Sequence, residues 1–349
     1  MSESAPTPQV NTHNITNNMV TDAVRDMVSV LARDLDPNRL RVNVALAPYT
    51  TFRIGGPADV LYDATSAGEL ATAILAANAA GIPWFVLGQG ANIVVGDAGI
   101  RGLVIRNLSC HHELSAHGSE ALLHAESGCI MQDLILESVR AGYSGLEHYI
   151  GIPSSVGGAL WQNLHFLSPA PERSRTMFIN EVLEGCQILS QEGETLDVGV
   201  DYLKMGYDDS IFHHRRDVVL SATFRLSATD RAVLERILQE NLAWRGSRHP
   251  WLAVHPSAGS VFRKIEGVGA GRLIDQCGLK GYRVGDAQIS HIHANIIVNL
   301  GRATARDVRA LIEHARNSVS ERFGYQLEPE IGFVGDFAGA TSKSGPVGK

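Results

Sequence analysis

The chain is short of the features that would place it in several common classes. It has four cysteines, Cys110, Cys129, Cys186 and Cys277, widely spaced and with no C-x-x-C pair. They suit neither a disulfide framework nor a cysteine zinc site, and they point to a reducing cytoplasm. No apolar run approaches the roughly 20 residues needed to cross a bilayer. Residues 1–18 are polar and lack the apolar core of a secretory signal, so they read as a disordered tail. Basic residues are outnumbered, 30 Lys and Arg against 37 Asp and Glu, for a formal net charge of -7. That argues against a protein that grips nucleic acid by neutralising phosphates. No H-E-x-x-H, G-x-S-x-G or P-loop Gly-Lys-Ser/Thr occurs.

What is present is a globular composition, 44% hydrophobic and 19% charged, over 349 residues. That is enough for two or three domains with a sizeable core. Residues 20–35 carry apolar side chains at helical spacing, and the helix is expected to end near Asp36-Pro37. Strand-like segments begin at Val42. A helix over 67–80, capped by Thr65-Ser66 and stopped by Gly81-Ile82-Pro83, leads to a buried strand at 84–87, so the region opens as β-α-β. Strands are expected at 102–105, 121–125, 181–189 and 218–226, and a helix at 130–141. A charged helix at 230–244 reads as a domain linker. The last third reads α+β, with helices at 271–276 and 304–323 and a strand at 294–299. Thr304 with Asp307 supplies a helix-start signal. The Gly/Ser/Lys-rich end after Asp336 reads as disordered.

Two glycine-rich segments stand out. The first, Leu87-Gly88-Gln89-Gly90-Ala91-Asn92-Ile93, follows the second strand directly. Glycine permits turns in which backbone N–H groups converge on an anion such as a dinucleotide pyrophosphate. The Rossmann fingerprint would put a third glycine at Ile93 and a helix after it; Ile93-Val94-Val95 instead reads as a strand. Taken alone, the loop is first an ordinary glycine turn. The second segment, Gly151-Ile152-Pro153-Ser154-Ser155-Val156-Gly157-Gly158, reads either as another wall of the same site or as a turn feeding a close-packed helix.

Among polar candidates, His291-Ile292-His293 would share a face if it lay on a strand. No carboxylate or cysteine stands nearby at ligand spacing, so a metal site is not expected. His111-His112 and His213-His214 read as exposed loop residues. Ser260, among small residues in Ser257-Ala258-Gly259-Ser260, and Glu330, in Leu327-Glu328-Pro329-Glu330-Ile331, are more pointed. A partly buried glutamate can exchange protons near neutrality. A serine in a tight turn and a surface glutamate pair would fit the residues equally well.

In order, these segments resemble the UDP-N-acetylenolpyruvoylglucosamine reductase family of bacterial cell-wall synthesis. The resemblance rests on Thr51-Phe52-Arg53-Ile54-Gly55-Gly56, both glycine segments, Gly206-Tyr207 with Asp209-Ser210-Ile211-Phe212, the Ser260 block, Ala270-Gly271-Arg272-Leu273-Ile274, Gly278-Leu279-Lys280-Gly281 and the Glu330 block. It implies an α+β protein: an FAD-binding domain of the vanillyl-alcohol-oxidase (PCMH) type over 41–228, then a smaller α+β substrate domain over 229–336. Residues 1–40 form a tail and helix, and 337–349 a disordered tail. The short spacing before Ser260 resembles the family's type II form. The implied cofactors are FAD and NADPH, and the implied partner is a small nucleotide-sugar, with no nucleic acid and no membrane; the expected setting is the cytoplasm, and the sequence leaves the oligomeric state open, with a monomer favoured.

By the same resemblance, Arg53, Gly88, Gly90, Ala91, Asn92, Ile152, Gly157 and Gly158 would hold the flavin. Tyr207, Arg245, Arg248 and Lys264 would hold substrate, Ser260 would donate the proton, and Glu330 would assist. Three positions depart from the family pattern. Asp208 stands where the family has an active-site arginine, Lys264-Ile265 replaces an Asn-Pro, and Asn163-Leu164-His165-Phe166 replaces Asn-Ala-Gly-Ala. Three readings follow: a working reductase with charge supplied by Lys264, Arg248 or Arg245; an offshoot reducing another acidic enol ether or enoyl compound; and a flavin-binding protein without turnover.

Overall fold

A computed structural model describes residues 21–168 and 171–337. The expected tails at 1–18 and 337–349, apart from Phe337, and the first residue of the expected opening helix lie outside the described residues; Phe337 packs on Phe333 with ring centroids 5.8 Å apart. Helix α1 (Asp22–Leu31) starts at Thr21, whose hydroxyl accepts from the Val24 N–H. It stops before the expected boundary. Leu35 still donates to the Leu31 carbonyl at 2.9 Å, so the apolar spacing continues through one further turn without an α-helix.

The β-α-β unit forms as expected. Strands β1 (Leu40–Ala45) and β2 (Pro57–Ala64) precede α2 (Ala67–Ala79), followed by β3 (Trp84–Leu87), β4 (Ile93–Val95) and β5 (Ile100–Asn107). The sheet order is β1-β2-β5-β3. Both neighbours of β5 run parallel to it, whereas β1 is antiparallel to β2. Ser66 caps α2 by accepting from the Glu69 N–H at 3.2 Å.

The chain next makes β6 (His112–His117), β7 (Glu120–Glu126), α3 (Met131–Arg140), the short β8 (Tyr143–Ser144) and α4 (Val156–Trp161). A hairpin of β9 (His165–Ser168) and β10 (Arg175–Phe178) follows, then β11 (Leu183–Leu189), β12 (Thr195–Gly199) and β13 (Val218–Ala228). The main sheet here is antiparallel, in the order β12-β11-β13-β7-β6. Helix α5 (Arg231–Arg248) runs beyond the expected end at 244. Its Leu234 and Leu238 are buried in one core with Leu146, Tyr149, Ile150 and Leu160. Apolar burial thus packs α5 onto the preceding unit instead of leaving it as a bare connector.

The last unit comprises β14 (Ser257–Ser260), α6 (Ala270–Gln276), β15 (Arg283–Val284), β16 (Ala287–Ile289), β17 (Ile296–Asn299), α7 (Ala305–Phe323) and β18 (Gly332–Val334). Its sheet has the order β14-β17-β16-β15, and α7 buries Val308, Leu311 and Ile312 in the core with Ile297. The expected capping box forms: Thr304 accepts from the Asp307 N–H and Asp307 from the Thr304 N–H. The residues from 290 to 295 form a bend between β16 and β17, so His291 and His293 do not share a strand face. The expected strand at 294–299 begins only at Ile296, because Ala294 and Asn295 belong to this bend.

Two long-range ties join the last unit to the first. β18 pairs in parallel with β4, Gly332 opposite Ile93. Asp97 accepts from the Ala305 and Arg306 N–H groups at 2.8 and 3.0 Å, satisfying the free first turn of α7 from another part of the chain. Replacing Asp97 by Ala removes both bonds and a favourable charge at the helix start. Asp97→Ala is expected to cost about 1 kcal/mol and lower the melting temperature by a few degrees (about 2–4 °C) in a thermal melt. An unchanged melt would show that the tie contributes nothing.

Candidate active site

The first glycine segment is the sharp turn between β3 and β4. Gly90 has φ +58, and a Cβ there would lie 2.8 Å from the Tyr49 carbonyl oxygen. Only glycine fits so close a backbone approach. Among the described residues, no acceptor in the protein takes the N–H groups of Gln89, Gly90, Ala91 and Asn92. Four consecutive free donors beside glycines fit an anionic group such as a cofactor pyrophosphate.

The second glycine segment lies against the first. A Cβ on Gly88 would fall 2.7 Å from Ser155 Oγ. Ser155 caps α4 by accepting from the Gly158 N–H, and the Gly157 N–H donates to the Ser127 carbonyl at 2.7 Å. These two glycines therefore contribute close approach rather than free donors. Ile152 is half-buried and Arg53 exposed, the latter with φ +54. The Asn299 side chain donates to the carbonyls of Phe52 and Arg53, pinning that segment to β17.

The serine and the glutamate come together through backbone pairing. The Glu330 N–H donates to the Val261 carbonyl, and the Arg263 N–H to the Glu328 carbonyl, each at 2.9 Å. This sets 260–263 beside 328–330. Ser260 ends β14, whose ladder to β17 is irregular at Gly259, φ +78; the serine is therefore on a strand, not in a tight turn. Both residues line a cavity of about 520 Å³, with Tyr207, Lys264, Arg272 and His293 also on its walls. Among the described residues the Ser260 hydroxyl bonds no protein group, so it is free for a ligand. Asn92 donates to the Glu330 carbonyl at 3.3 Å, which couples the glycine loop to this wall.

The two carboxylates of the Leu327–Ile331 stretch differ. Glu328 is exposed, while Glu330 is partly buried. Burial, and then the neighbouring Asp208, push the Glu330 carboxyl up to about 8, against an opposing influence from Arg263. Asp208 sits at the tip of a tight turn closed by the Gly206 N–H donating to the Asp209 carbonyl. It has φ +51 and is only 5% exposed. Gln162 donates to its Oδ1 at 2.9 Å, and His165 Nδ1 lies 3.9 Å from the same oxygen. The His165 ring also packs on Tyr207, with centroids 4.5 Å apart.

The expected substrate cations divide. Lys264 faces the cavity; Arg245 and Arg248 do not line it. Arg245 lies against Gly151 and over the Phe166 ring, and Arg248 lies over Trp244. With Arg173, also over Phe166 and Trp244, they form a basic-aromatic cluster beside the second glycine segment. It touches the cavity through His249, which stacks on His293 with centroids 5.3 Å apart. Burial first, then Arg245 and His293, hold His249 down to about 4, so it stays neutral at pH 7.

Residues 58–199 match an FAD binding domain, and residues 249–334 match the C-terminal domain of UDP-N-acetylenolpyruvoylglucosamine reductase. A reductase of that name from Agathobacter rectalis is 38% identical over 299 residues, covering 83% of this chain and 92% of the relative. The chain belongs to the UDP-N-acetylenolpyruvoylglucosamine reductase family. The family member from Clostridium novyi is 32% identical over 89% of this chain and 97% of its own. The solved structure of the Thermus caldophilus enzyme aligns at a TM-score of 0.69, with 33% identity over 84% of this chain and 99% of its own. As a family member, the chain combines an FAD-binding domain with the reductase C-terminal domain in an α+β fold.

Sequence reasoning missed several residues of this site. Arg272 and Lys280 line the cavity, Lys280 paired with Asp275 at 2.8 Å; both stood inside blocks that already carried the family resemblance. Gln162 stands on Asp208 and Arg263 beside Glu330. Their sequence signal was weak, since each is an ordinary polar residue whose partner lies far along the chain.

Proposed function

We propose that this protein is an NADPH-dependent flavoenzyme that reduces the enolpyruvyl ether of UDP-N-acetylglucosamine to UDP-N-acetylmuramate. The observation that carries this reading is the shared wall: a free serine hydroxyl and a proton-retaining glutamate face one cavity and are tied through Asn92 to a glycine loop with free N–H groups. Gly88, Gly90, Ala91 and Asn92 would cradle the FAD, with Gly157 and Gly158 closing in from α4 and Arg53 and Ile152 flanking them. When bound, the flavin supplies a hydride obtained from NADPH.

The protein's own part is to hold the enol ether and deliver a proton. Lys264 and Arg272 place positive charge where the substrate carboxylate would sit, and Tyr207 closes the rim. The net reaction adds hydride to the methylene carbon and a proton to the carbon bearing the carboxylate, so the double bond becomes single. Ser260 would give that proton, with its oxygen left anionic until water or Glu330 restores it. Negative charge developing toward the carboxylate is stabilised by the cavity cations. Arg245 and Arg248, beside Arg173, are suited to the phosphates of a nucleotide. Domain limits of 41–228 and 229–336, a monomeric state and a cytoplasmic setting complete the reading; the four cysteines are free.

Asp208 favours a second reading, reduction of a different acidic enol ether, because a carboxylate replaces an arginine. The test is anaerobic reduction by NADPH, followed by addition of the enolpyruvyl nucleotide-sugar while flavin absorbance is recorded. Rapid return of the oxidised spectrum is the expected result. A spectrum that stays bleached would overturn this substrate assignment, and one that never bleaches would overturn the reductase reading.

A further inference from the structure

Asp208 is a carboxylate only 5% exposed, beside the wall that carries Glu330, and its burial needs a physical account. Its side chain stands beside the Glu330 carboxyl, whose proton affinity it raises. Gln162 supplies one oxygen with a donor, but Oδ2 is buried and finds none among the protein's ordinary donors. Two ionised carboxylates in contact repel, and a bond between them requires a proton on one of them. A protonated Glu330 would supply the missing donor.

We propose that Asp208 is a positioning residue that shares one proton with Glu330, forming a carboxyl pair that keeps the cavity-facing acid protonated at neutral pH. The pair rests on the functional reading above for its catalytic use, but not for its existence. The groups around it support one retained proton. From the segment after β14, Arg263 opposes proton retention but is exposed. From the turn itself, Tyr207 stands beside both acids. From β9, His165 lies 3.9 Å from Asp208 Oδ1. Across the cavity, Lys264, Arg272, Asp275, Lys280 and His293 line the walls. Burial and the Asp208 charge together outweigh Arg263, which is the direction the Glu330 carboxyl takes.

The retained proton has a use in the proposed reaction. After Ser260 gives up its proton, Glu330 can return one to the serine oxygen, and the proton bound by the pair then comes from water. No electrons move in this step; one O–H bond breaks on the glutamate and one forms on the serine.

The test uses the purified holoprotein, with no substrate. Infrared difference spectra across pH 5–10 are recorded for the native protein, Glu330→Gln and Asp208→Asn. The native protein is expected to show a carboxylic-acid C=O band at pH 7 that Glu330→Gln removes and that titrates near pH 8. Asp208→Asn removes the repelling charge and is expected to move that midpoint down by at least one pH unit. In turnover, the alkaline limb of the substrate-dependent step should move down with it, while reduction by NADPH keeps its profile. Absence of the pH 7 band in the native protein overturns the proposal even if Asp208→Asn fails to fold. An unmoved midpoint in a folded Asp208→Asn also overturns it. A titrating band in a protein that does not turn over the enolpyruvyl substrate would overturn the substrate assignment alone.

Discussion

Ser260→Ala is expected to leave flavin bleaching by NADPH intact and to slow the substrate-dependent return of oxidised flavin by about 10²–10⁴-fold. The size follows from the geometry. The hydroxyl lines the cavity, bonds no other protein group among the described residues, and is held opposite Glu330 by the Val261 and Arg263 backbone pairs. Alanine keeps the backbone of β14 and the cavity outline and deletes only the O–H group. A stability change of any size is therefore not expected, since no buried hydrogen bond is lost. Stopped-flow measurement separates the two phases. If the second phase keeps its native rate, the proton comes from elsewhere and the assignment of Ser260 is wrong. Loss of both phases would instead place the serine in flavin retention.

The second large effect is expected from Gly90→Val, which should yield protein without stoichiometric flavin. Two costs combine at this position. A β-branched residue at φ +58 is a strong backbone outlier, worth about 1–2 kcal/mol or more. The new Cβ would also meet the Tyr49 carbonyl oxygen at 2.8 Å and Thr50 Cα at 2.9 Å. These contacts are backbone and cannot step aside cheaply, so the loop must shift and its four free N–H groups lose their common aim. Gly81→Val is the matched control: φ is +64 there, but nothing lies within 4 Å of the added carbon. The control should lose some stability and keep its flavin, as read from the ratio of flavin to protein absorbance. A Gly90→Val protein that purifies with one flavin per chain would remove the loop from the cofactor site.

Much of the site was legible in local sequence. Ser66 and the Thr304–Asp307 pair announced their helix starts because capping is settled within four residues. The strand at 84–87, followed by two glycines and a further strand, gave the loop between β3 and β4. The absence of a third glycine at Ile93 correctly distinguished it from the Rossmann turn, since β4 follows where a helix would otherwise begin. The end of α1 and the length of α5 were less legible. Apolar spacing carries on through the turn after Leu31, and α5 is extended by packing that polar surface residues do not advertise.

The cations show the limit most clearly. The family resemblance placed Arg245 and Arg248 near the substrate with Lys264, yet of these three only Lys264 faces the serine cavity. The other two are turned by α5 toward Phe166 and Trp244. A helix rotates its side chains by about 100° per residue, so a neighbourhood in sequence divides into separate faces.

By itself, then, the sequence determined the order of the family's blocks, the β-α-β opening, the two glycine segments and the pairing of Ser260 with Glu330 as candidates. It also exposed Asp208 as an anomaly, but only as a charge in the wrong place. Tertiary structure decided what that charge does. Asn92 meets Glu330 across 238 residues of chain, and Gln162 meets Asp208 across 46. Such meetings depend on how sheets and helices pack, and local propensity carries no trace of them. Burial then sets the proton affinity of Glu330, because a carboxylate loses its hydration only once the fold has closed around it.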